Sequence, residues 1–535
     1  MQTDAFHVFD TTLRDGAQRE GISYSVADKL AVARLLDQVG VGFIEGGWPG
    51  AMPKDSEFFA RAADGELILK NAILSAFGAT RRAGVAVEDD AQVQALLDSR
   101  AQVITLVAKS DVAHVELALR TTPEENLAMV HDTVAFLRAH DRRVFIDCEH
   151  FFDGYQRDSG YGVAVLEAAA AAGASVGVLC DTNGGMLPVG VRDIVVDVAA
   201  RTSLRLGIHT QNDTGCAVAN TFAAVDAGAT HVQGTANGYG ERAGNADLFA
   251  VIGGLVTKMG LDVLPDGALA EMSRVSHAIA EIANLAPDTH QAYVGTSSFA
   301  HKAGLHASAI KVKPELYNHL DPAVVGNSQR ILVTEMAGRA SIELKSRELG
   351  VDVASRPEVV AEVVHQIKER EASGWSYEAA DASFELLLRD ALGGEDAVAE
   401  LFTVESYRVI IDRREDGTLV SEATVKVHAN GTRVISTEEG NGPVNALDRA
   451  LRSALQTVYP QLRNFELSDY KVRILAGRAG TDAVTRVLVE TSQTPNATAA
   501  NPVSWTTVGV HGNVIEASWL ALHDAVRYGL LHETR

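Results

Sequence analysis

The chain has 535 residues, of which 46% are hydrophobic, and a formal net charge of −23. This length exceeds one ordinary core and predicts two or three domains, with enough apolar content to fill them. The negative charge argues against nucleic acid or an anionic membrane surface as the main partner, because either would need a basic face. No stretch approaches the roughly 20 apolar residues of a membrane span.

The N-terminus shows neither a secretory signal nor a transit peptide, which favours a cytoplasmic location. Cys148, Cys180 and Cys216 are odd in number and widely separated. Such spacing fits neither a disulfide framework nor a zinc knuckle. We therefore predict small buried thiols that stay reduced.

The first half of the chain alternates between short runs rich in Val, Ile and Phe and longer helical patterns. The strand candidates are HVFDTT, GFIEGG, AILSAFGA, QVITLVA, VFIDCEH, VGVLCDTN, LGIHTQND and HVQGTANG. Eight strands, each followed by a helix candidate, predict an α/β fold in which parallel strands close into a (β/α)8 TIM barrel. An open, doubly wound sheet is the alternative.

Two further regions follow the predicted barrel. We place the barrel at residues 1–275, a mostly helical linker at 276–393 and a C-terminal α+β domain at 394–535. In the last region, YRVIIDRREDGTLVSEATVKVHANGTRVIS predicts antiparallel strands joined at its DG and NG turns. GNGPVNALDRALRSAL and VIEASWLALHDAVRYGLL predict amphipathic helices.

Polar residues concentrate at the C-terminal ends of the predicted barrel strands. They are Asp10 to Asp15, Glu45, Glu149, Asp181 to Asn183, His209 to Asp213, and the residues from Asn237 onward. In a closed barrel these ends open on one face, so groups far apart in sequence converge there. That face is the predicted active site.

Four of these residues suit a metal or an anionic substrate. Asp15 can hold a divalent cation while the neighbouring Arg14 pairs with a carboxylate or carbonyl, although RDG alone is also a common surface turn. His209 and Gln211 lie two residues apart on one strand, so both side chains leave it on the same side. A buried core histidine is the alternative for His209.

The glycines of NGYGERAGN have the spacing GxGxxxG and follow the eighth strand, so a dinucleotide fingerprint is a weak interpretation. A tight loop that aims Asn245 into the barrel mouth is the alternative. Glu149 is a candidate general base or a surface salt-bridge partner. Thr182 can bind a substrate carboxylate or cap the helix that starts near Leu187.

His306 lies beyond the predicted barrel in HKAGLHAS, where a histidine on a helix surface is the alternative, and Tyr317 carries no signal of its own. Taken together, the motifs resemble a family of acyl-CoA-dependent Claisen condensation enzymes, the 2-isopropylmalate, homocitrate and citramalate synthases. The resemblance covers nearly the whole chain. The motifs that carry it, in the family's order, are DTTLRDGAQ, GIHTQND with AVANTFAAVDAGA, GYGERAGN, HKAGLHAS and EGNGPVNALDRAL.

The resemblance implies a role for each candidate residue. The family's metal ligands fall on Asp15, His209, Gln211 and Asn245. Substrate binding falls on Arg14, Glu45 and Thr182. Catalytic roles fall on Arg14, Glu149, His306 and Tyr317, the last two acting on the barrel of a partner subunit in a homodimer.

The chain departs from the family at Gln211, where the usual ligand is a second histidine. An amide oxygen in its place makes the ligand set harder, so we predict Mg²⁺ or Mn²⁺ in preference to Zn²⁺. A non-catalytic, effector-binding protein is the rival interpretation, and Gln211 is the one feature in its favour, since every other reactive position is filled.

Within the family, FIEGGWPGAMPKDSEFF and LDPAVVGNSQRILVTEMAGRASI resemble the longer bacterial citramalate synthase branch. This implies a condensation of acetyl-CoA with pyruvate and a C-terminal regulatory domain that binds isoleucine. The alternatives are a sibling synthase that uses another 2-oxo acid, as in 2-isopropylmalate or homocitrate synthesis, or a carbon–carbon lyase.

Overall fold

The computed structural model describes residues 4–393, 401–475, 483–493 and 503–533. The chain forms two compact units. The first comprises residues 1–299 and 320–328, and the second comprises residues 300–319 and 329–535. The domain boundary proposed from the sequence, at residue 393, adjoins residues 394–400, which lie outside the described residues.

The first unit contains a closed barrel of eight parallel strands in the order β1 to β8, as predicted. The strands are β1 His7–Asp10, β2 Phe43–Gly47, β3 Ile73–Ala79, β4 Val103–Lys109, β5 Arg143–Glu149, β6 Val176–Asp181, β7 Arg205–Thr210 and β8 His231–Gly234. The pairing of β1 with β8 closes the barrel and excludes the open sheet.

Helices surround these strands. They are α1 Val26–Val39, α2 Pro53–Ala63, α3 Ala91–Asp98, α4 Val112–His114, α5 Pro123–Ala139, α6 Phe151–Arg157, α7 Ser159–Ala171, α8 Pro188–Arg201, α9 Ala217–Asp226, α10 Leu248–Thr257 and α11 Met272–Ile282. Their apolar faces form one continuous core with the outer faces of the strands.

Local sequence explains where the first helix begins and ends. Ser25 and Asp28 form a capping box at the start of α1. Gly40 ends the helix at φ +85°, and a Cβ there would lie 2.3 Å from Pro265. The left-handed conformation and the close contact both require glycine. The chain then enters β2, which carries Glu45 towards the barrel mouth.

Side chains two residues apart fill the barrel interior. Near the floor, the rings of His7, Phe9, Phe43, Phe145 and His231 pack with centroids 4.9 to 6.0 Å apart. Above them the interior becomes polar. This order follows from strand geometry, because every second residue of a barrel strand points inward.

The second unit begins with helices and small strands. Their bounds are β9 Ala300–His301, α12 Gly304–Val312, β10 Arg330–Ile331, α13 Arg339–Glu348, α14 Pro357–Ala372 and α15 Asp381–Leu392. Two repeats of three antiparallel strands and a helix follow. They are β11 Phe402–Arg413, β12 Leu419–Ala429, β13 Thr432–Gly440 and α16 Pro443–Gln456, then β14 Phe465–Ile474, β15 Thr485–Gln493, β16 Val503–His511 and α17 Val514–Glu533.

The predicted turns of the C-terminal region are present. Asn430 and Gly431 connect β12 to β13 with φ values of 47° and 75°, the left-handed pair of a tight hairpin. Strand β16 is an element that the sequence interpretation missed. Among the described residues, no helix combines the length and the apolar character needed to cross a membrane.

Candidate active site

Arg14 and Asp15 follow β1 at the barrel mouth, where Asp15 is buried and Arg14 is mostly buried, which excludes the surface-turn interpretation of RDG. Arg14 donates from Nε to Glu45 Oε2 at 2.7 Å. Its guanidinium carbon lies 3.9 Å from the centroid of the Phe77 ring. Glu45 is fully buried. A carboxylate on one side and a ring face on the other therefore hold the cation in one orientation.

The charges at the mouth shift one another's pKa values. Burial opposes ionisation of Asp15, but Arg14 and hydrogen bonds with His209 and Asn245 outweigh it and hold the pKa of Asp15 well below its usual range. Burial raises the pKa of Glu45 to about 7 despite the neighbouring guanidinium. Asp147, two residues before Glu149, also has a pKa raised by burial. Three acidic side chains thus share a single arginine in a low-dielectric interior.

The four proposed metal ligands meet at one place. His209 Nε2 lies 3.3 Å from Asp15 Oδ2. Gln211 Nε2 donates to Asp15 Oδ2 at 3.2 Å and to Asn245 Oδ1 at 3.1 Å. Each of these four residues is at most 6% exposed. Residues separated by about 230 positions therefore form one buried cluster.

The cluster fits a divalent cation. Gln211 Oε1 is buried and has no hydrogen-bond partner among the described residues. The amide nitrogen instead lies between two oxygen acceptors, where a cation would also bind. A half-turn of the amide, whose two orientations look alike, would direct Oε1 to that point. The donors are then one carboxylate, one imidazole and two amide oxygens, a set suited to Mg²⁺ or Mn²⁺.

Groups of three or more His, Cys, Asp or Glu able to hold a metal ion are absent from the described residues. The cluster escapes that pattern because Gln211 and Asn245 supply amides, leaving only two ligands of those residue types. With one imidazole and no thiolate, the donor set differs from that of a zinc site with several imidazoles or thiolates.

The glycine-rich loop after β8 aims Asn245 at this point. The amide of Asn245 donates from Nδ2 to the Tyr239 carbonyl at 2.9 Å. Gly244 has φ +88°, and a Cβ there would lie 2.0 Å from the Gly238 carbonyl oxygen. Only glycine tolerates this approach. The loop therefore positions the Asn245 side chain at the barrel mouth. This agrees with the tight-loop interpretation and not with a dinucleotide fingerprint.

Glu149 and Thr182 lie at the rim of a cavity of about 620 Å³ that also contains Arg14, Asp15 and His209. Glu149 forms an ion pair with Lys109 at the end of β4. The salt-bridge alternative for Glu149 is thus realised, but inside the cavity rather than on the surface. Burial lowers the pKa of Lys109.

The helix-capping alternative for Thr182 is wrong. Helix α8 begins after Leu187 and has no side-chain cap. The Thr182 hydroxyl instead accepts the backbone N–H of His150 at 2.8 Å. This bond supports a strained residue, since His150 has φ +57° directly after Glu149. Thr182 therefore orients the end of β5 and still lines the cavity.

His306 and Tyr317 belong to the second unit. Their rings stack with centroids 4.1 Å apart, and His306 lies on α12. The helical location that the sequence suggested is correct. Tyr317 is 40% exposed. His306 and Tyr317 are therefore in contact within the second unit.

Four residues of the barrel interior were missed by sequence interpretation: Trp48, Lys109, Asp147 and Gln233. Trp48 packs edge-on against Phe77 at 5.1 Å and lines the cavity. Asp147 and Lys109 occupy the inward alternation of β5 and β4. That two-residue period is the signal that could have found them, because it extends the inward face back from Glu149.

A parallel barrel with a buried acid, imidazole and two amides at its C-terminal mouth matches a known class of proteins. Residues 5–279 match the HMGL-like family, residues 293–374 the homocitrate synthase post-HMGL domain-like family, and residues 378–530 the LeuA allosteric (dimerisation) domain. The chain belongs to the HMGL-like family.

Several relatives that match nearly the whole chain are named (R)-citramalate synthase. The chain is 63% identical over 528 residues to an (R)-citramalate synthase of Streptomyces coelicolor, covering 99% of this chain and 97% of the relative. It is 47% identical to an (R)-citramalate synthase of Synechocystis sp., covering 98% and 96%. It is 45% identical to one of Aquifex aeolicus, covering 98% of each.

Proposed function

We propose that the chain is an (R)-citramalate synthase, which condenses acetyl-CoA with pyruvate and hydrolyses the thioester to give citramalate and CoA. The observation that carries the proposal is the convergence of Asp15, His209, Gln211 and Asn245 beside Arg14 at the barrel mouth. The full-length likeness to citramalate synthases supports the choice of substrate over that of its siblings.

Asp15, His209, Gln211 and Asn245 would hold Mg²⁺ or Mn²⁺ in preference to Zn²⁺. A bound cation of this kind supplies Lewis acidity that polarises a ketone and orients a carboxylate. The two amide oxygens favour a hard cation, because neutral oxygen donors compete poorly for zinc.

Arg14 would stabilise the negative charge that develops on the pyruvate ketone oxygen. Glu45 fixes the guanidinium through Nε, so the terminal nitrogens can face the substrate. The role proposed for Glu45 is therefore substrate binding through Arg14. Thr182, at the cavity wall, would donate its hydroxyl hydrogen to the substrate carboxylate.

Glu149 is our first candidate for the base that removes a methyl proton from acetyl-CoA. The C–H bond breaks, the carbon attacks C2 of pyruvate, and the ketone oxygen takes a proton to become the tertiary hydroxyl. Water then cleaves the thioester and releases the CoA thiol. Lys109 pairs with Glu149 and would keep it ionised and directed into the cavity. His306 is the second candidate base, with Tyr317 as its neighbour.

The C-terminal region is proposed to form a homodimer and to bind isoleucine as a feedback effector. The match to the LeuA allosteric (dimerisation) domain supports this assignment. Sedimentation of the full chain, and titration of its activity with isoleucine and leucine in parallel, would test the two parts separately.

A substrate panel tests the proposed reaction. Metal-depleted protein is supplied with Mg²⁺, Mn²⁺, Co²⁺ or Zn²⁺, acetyl-CoA and one 2-oxo acid, and both thiol release and product are measured. We expect citramalate from pyruvate, with Mg²⁺ or Mn²⁺ most effective. Preference for 2-oxoisovalerate or 2-oxoglutarate would assign a sibling synthase. Cleavage of an acyl-CoA without condensation would assign a lyase, and no thiol release with any combination would indicate a non-catalytic protein.

A further inference from the structure

Two side chains, Gln233 and Asp147, lie directly below the proposed metal ligands, and the proposed reaction gives neither of them a role. Gln233 on β8 neighbours His209 on β7, and Asp147 reaches them from β5 across the barrel interior. Gln233 is fully buried, and Asp147 is 4% exposed. Buried polar groups are costly unless they are paired, so their arrangement carries information about function.

Hydrogen bonds connect Asp147, Gln233 and His209, and the direction of each bond can be assigned. Gln233 Nε2 donates to Asp147 Oδ1 at 2.9 Å, and Gln233 Oε1 lies 2.8 Å from His209 Nδ1. A carboxylate only accepts, so the amide NH₂ group must face Asp147 and the amide oxygen must face His209. The other amide hydrogen faces His231 Nε2 at 3.4 Å. His209 Nδ1 must then carry a hydrogen.

This hydrogen decides what the other ring nitrogen can do. A neutral imidazole with its hydrogen on Nδ1 presents a lone pair on Nε2. In this structure Nε2 lies 3.3 Å from Asp15 Oδ2. A hydrogen on Nε2 can therefore be donated to Asp15 while no cation is bound, and a cation would replace that hydrogen. The opposite tautomer would place a hydrogen where the cation binds and would leave Gln233 Oε1 without a donor.

We propose that Gln233, oriented by Asp147, is a positioning residue that fixes the His209 tautomer and so makes His209 a metal ligand. The proposal rests on the metal site of the proposed function. It assigns Gln233 and Asp147 to metal binding rather than to contact with the substrate. Partners that orient a metal-bound histidine typically change metal affinity by about 10- to 100-fold when removed.

The first test needs no metal and no variant at Gln233. Full-length, metal-free protein is labelled with ¹⁵N at histidine, and the His209 resonances are assigned by their loss in His209→Asn. We expect the shift of a protonated nitrogen at Nδ1, because Gln233 Oε1 faces that atom. An unprotonated Nδ1 in the metal-free protein would overturn the proposed role of Gln233.

The second test measures Mn²⁺ affinity by electron paramagnetic resonance. Gln233→Leu removes the acceptor at nearly constant volume, and we expect Mn²⁺ binding to weaken by about 10- to 100-fold. In the double variant Asp147→Asn/Gln233→Glu the donor and acceptor exchange places, so both hydrogen bonds can form again. We expect this variant to recover most of the lost affinity and the wild-type tautomer.

The matched control is Thr105→Val. Thr105 is also fully buried inside the barrel and exchanges a 2.8 Å hydrogen bond with Ser75, away from His209. We expect it to retain wild-type Mn²⁺ affinity. An unchanged affinity in Gln233→Leu would overturn the proposal, as would equal losses in Gln233→Leu and Thr105→Val. Failure of the wild-type protein to bind Mn²⁺ would instead overturn the metal site of the proposed function, which the tautomer measurement distinguishes.

Discussion

The floor and the mouth of the barrel are built from the same strands and differ completely in chemistry. Two strands place a phenylalanine at the floor and an acid one inward step higher, as in Phe43 and Glu45 or Phe145 and Asp147. The floor is a packed cluster of rings, whereas the mouth buries charges. A rise of two residues, about 7 Å, therefore separates the part that stabilises the fold from the part that performs chemistry.

The floor and the mouth contribute differently to the free energy of folding. Aromatic rings at the floor gain free energy by leaving water and by edge-to-face contacts. Carboxylates at the mouth lose free energy on burial, as the raised pKa values of Glu45 and Asp147 indicate. Floor variants should therefore affect stability, and mouth variants should affect activity.

The largest difference between the effect on activity and the effect on stability is expected from Asp15→Asn. It removes the only carboxylate among the four proposed ligands, and we expect kcat/KM to fall by about 10³-fold or more, since such a ligand set supplies several kcal/mol to the transition state. Stability to urea should fall modestly, because the ionised Asp15 is stabilised by Arg14 and by its hydrogen bonds with His209 and Asn245. Thiol release and urea unfolding measure the two effects.

Asp37→Asn is the matched control. Asp37 is also buried in the first unit, but it accepts the backbone N–H groups of Lys70, Asn71 and Ala72. We expect it to lose stability and to keep kcat/KM. If Asp15→Asn behaved like Asp37→Asn, the division between floor and mouth would not hold.

Phe145→Ala removes one ring from the aromatic cluster at the barrel floor. Its ring is fully buried between Phe9, Phe43 and His231. We expect a loss of about 3–5 kcal/mol in the free energy of unfolding of the first unit, with kcat/KM retained at temperatures where the variant is folded. Urea unfolding followed by tryptophan fluorescence measures the change. Phe136→Ala, at a partly buried ring on α5, should cost less than half as much, and equal losses would contradict the prediction.

The floor should also respond to acid. Burial lowers the pKa of His7 to about 4, with Arg205 and Arg143 acting in the same direction and Asp4 opposing them. The unfolded chain, with a histidine pKa near 6.5, therefore binds more protons below that pH. The contribution is fully present above about pH 6.5 and is lost as pH falls towards 4, at up to about 1.4 kcal/mol per pH unit.

His7→Asn removes this titration. We expect the difference in unfolding free energy between wild type and variant to shrink steadily from pH 6.5 to pH 4. Phe136→Ala removes no titratable group, so it serves as control and should give a difference that changes little with pH. A constant difference for His7→Asn would show that His7 takes up protons equally in the folded and the unfolded protein.

Much of the barrel could be predicted from the sequence, because strand and helix periodicities are local properties. All eight strands lie where the apolar runs placed them, and the polar strand ends converge as a closed barrel requires. The partners across the barrel could not be predicted. Nothing in the sequence indicates that Glu45 holds Arg14 or that Lys109 pairs with Glu149. These pairings depend on distances between strands, which period and composition do not encode.

Gln233 is a second example of a role that could not be predicted from the sequence. Its place on β8 follows from alternation, but its significance comes from having Asp147 on one side and His209 on the other. Similarly, strand β16 was missed because a strand in an antiparallel sheet is recognised mainly through its partner, here β15. In both cases the missing information is the neighbour rather than the residue itself.

The smallest expected effect concerns Gln211, the residue that departs from the resemblance. Gln211→His adds a second imidazole to the proposed ligand set, and we expect Zn²⁺ and Co²⁺ to bind about tenfold more tightly relative to Mg²⁺. Condensing activity should persist, because Asp15, His209 and Asn245 remain in place. Competition between Zn²⁺ and Mn²⁺, followed by electron paramagnetic resonance, measures the change in preference.

Gln94→His makes the same substitution on α3, outside the barrel interior, and should leave the metal preference unchanged. An unchanged preference in Gln211→His would mean that the unpartnered Gln211 Oε1 does not face the cation. Activity that first emerged with the second imidazole would mean that the wild-type mouth is not catalytic. The mouth would then be a second structural layer, like the floor, and its buried charges would need another explanation.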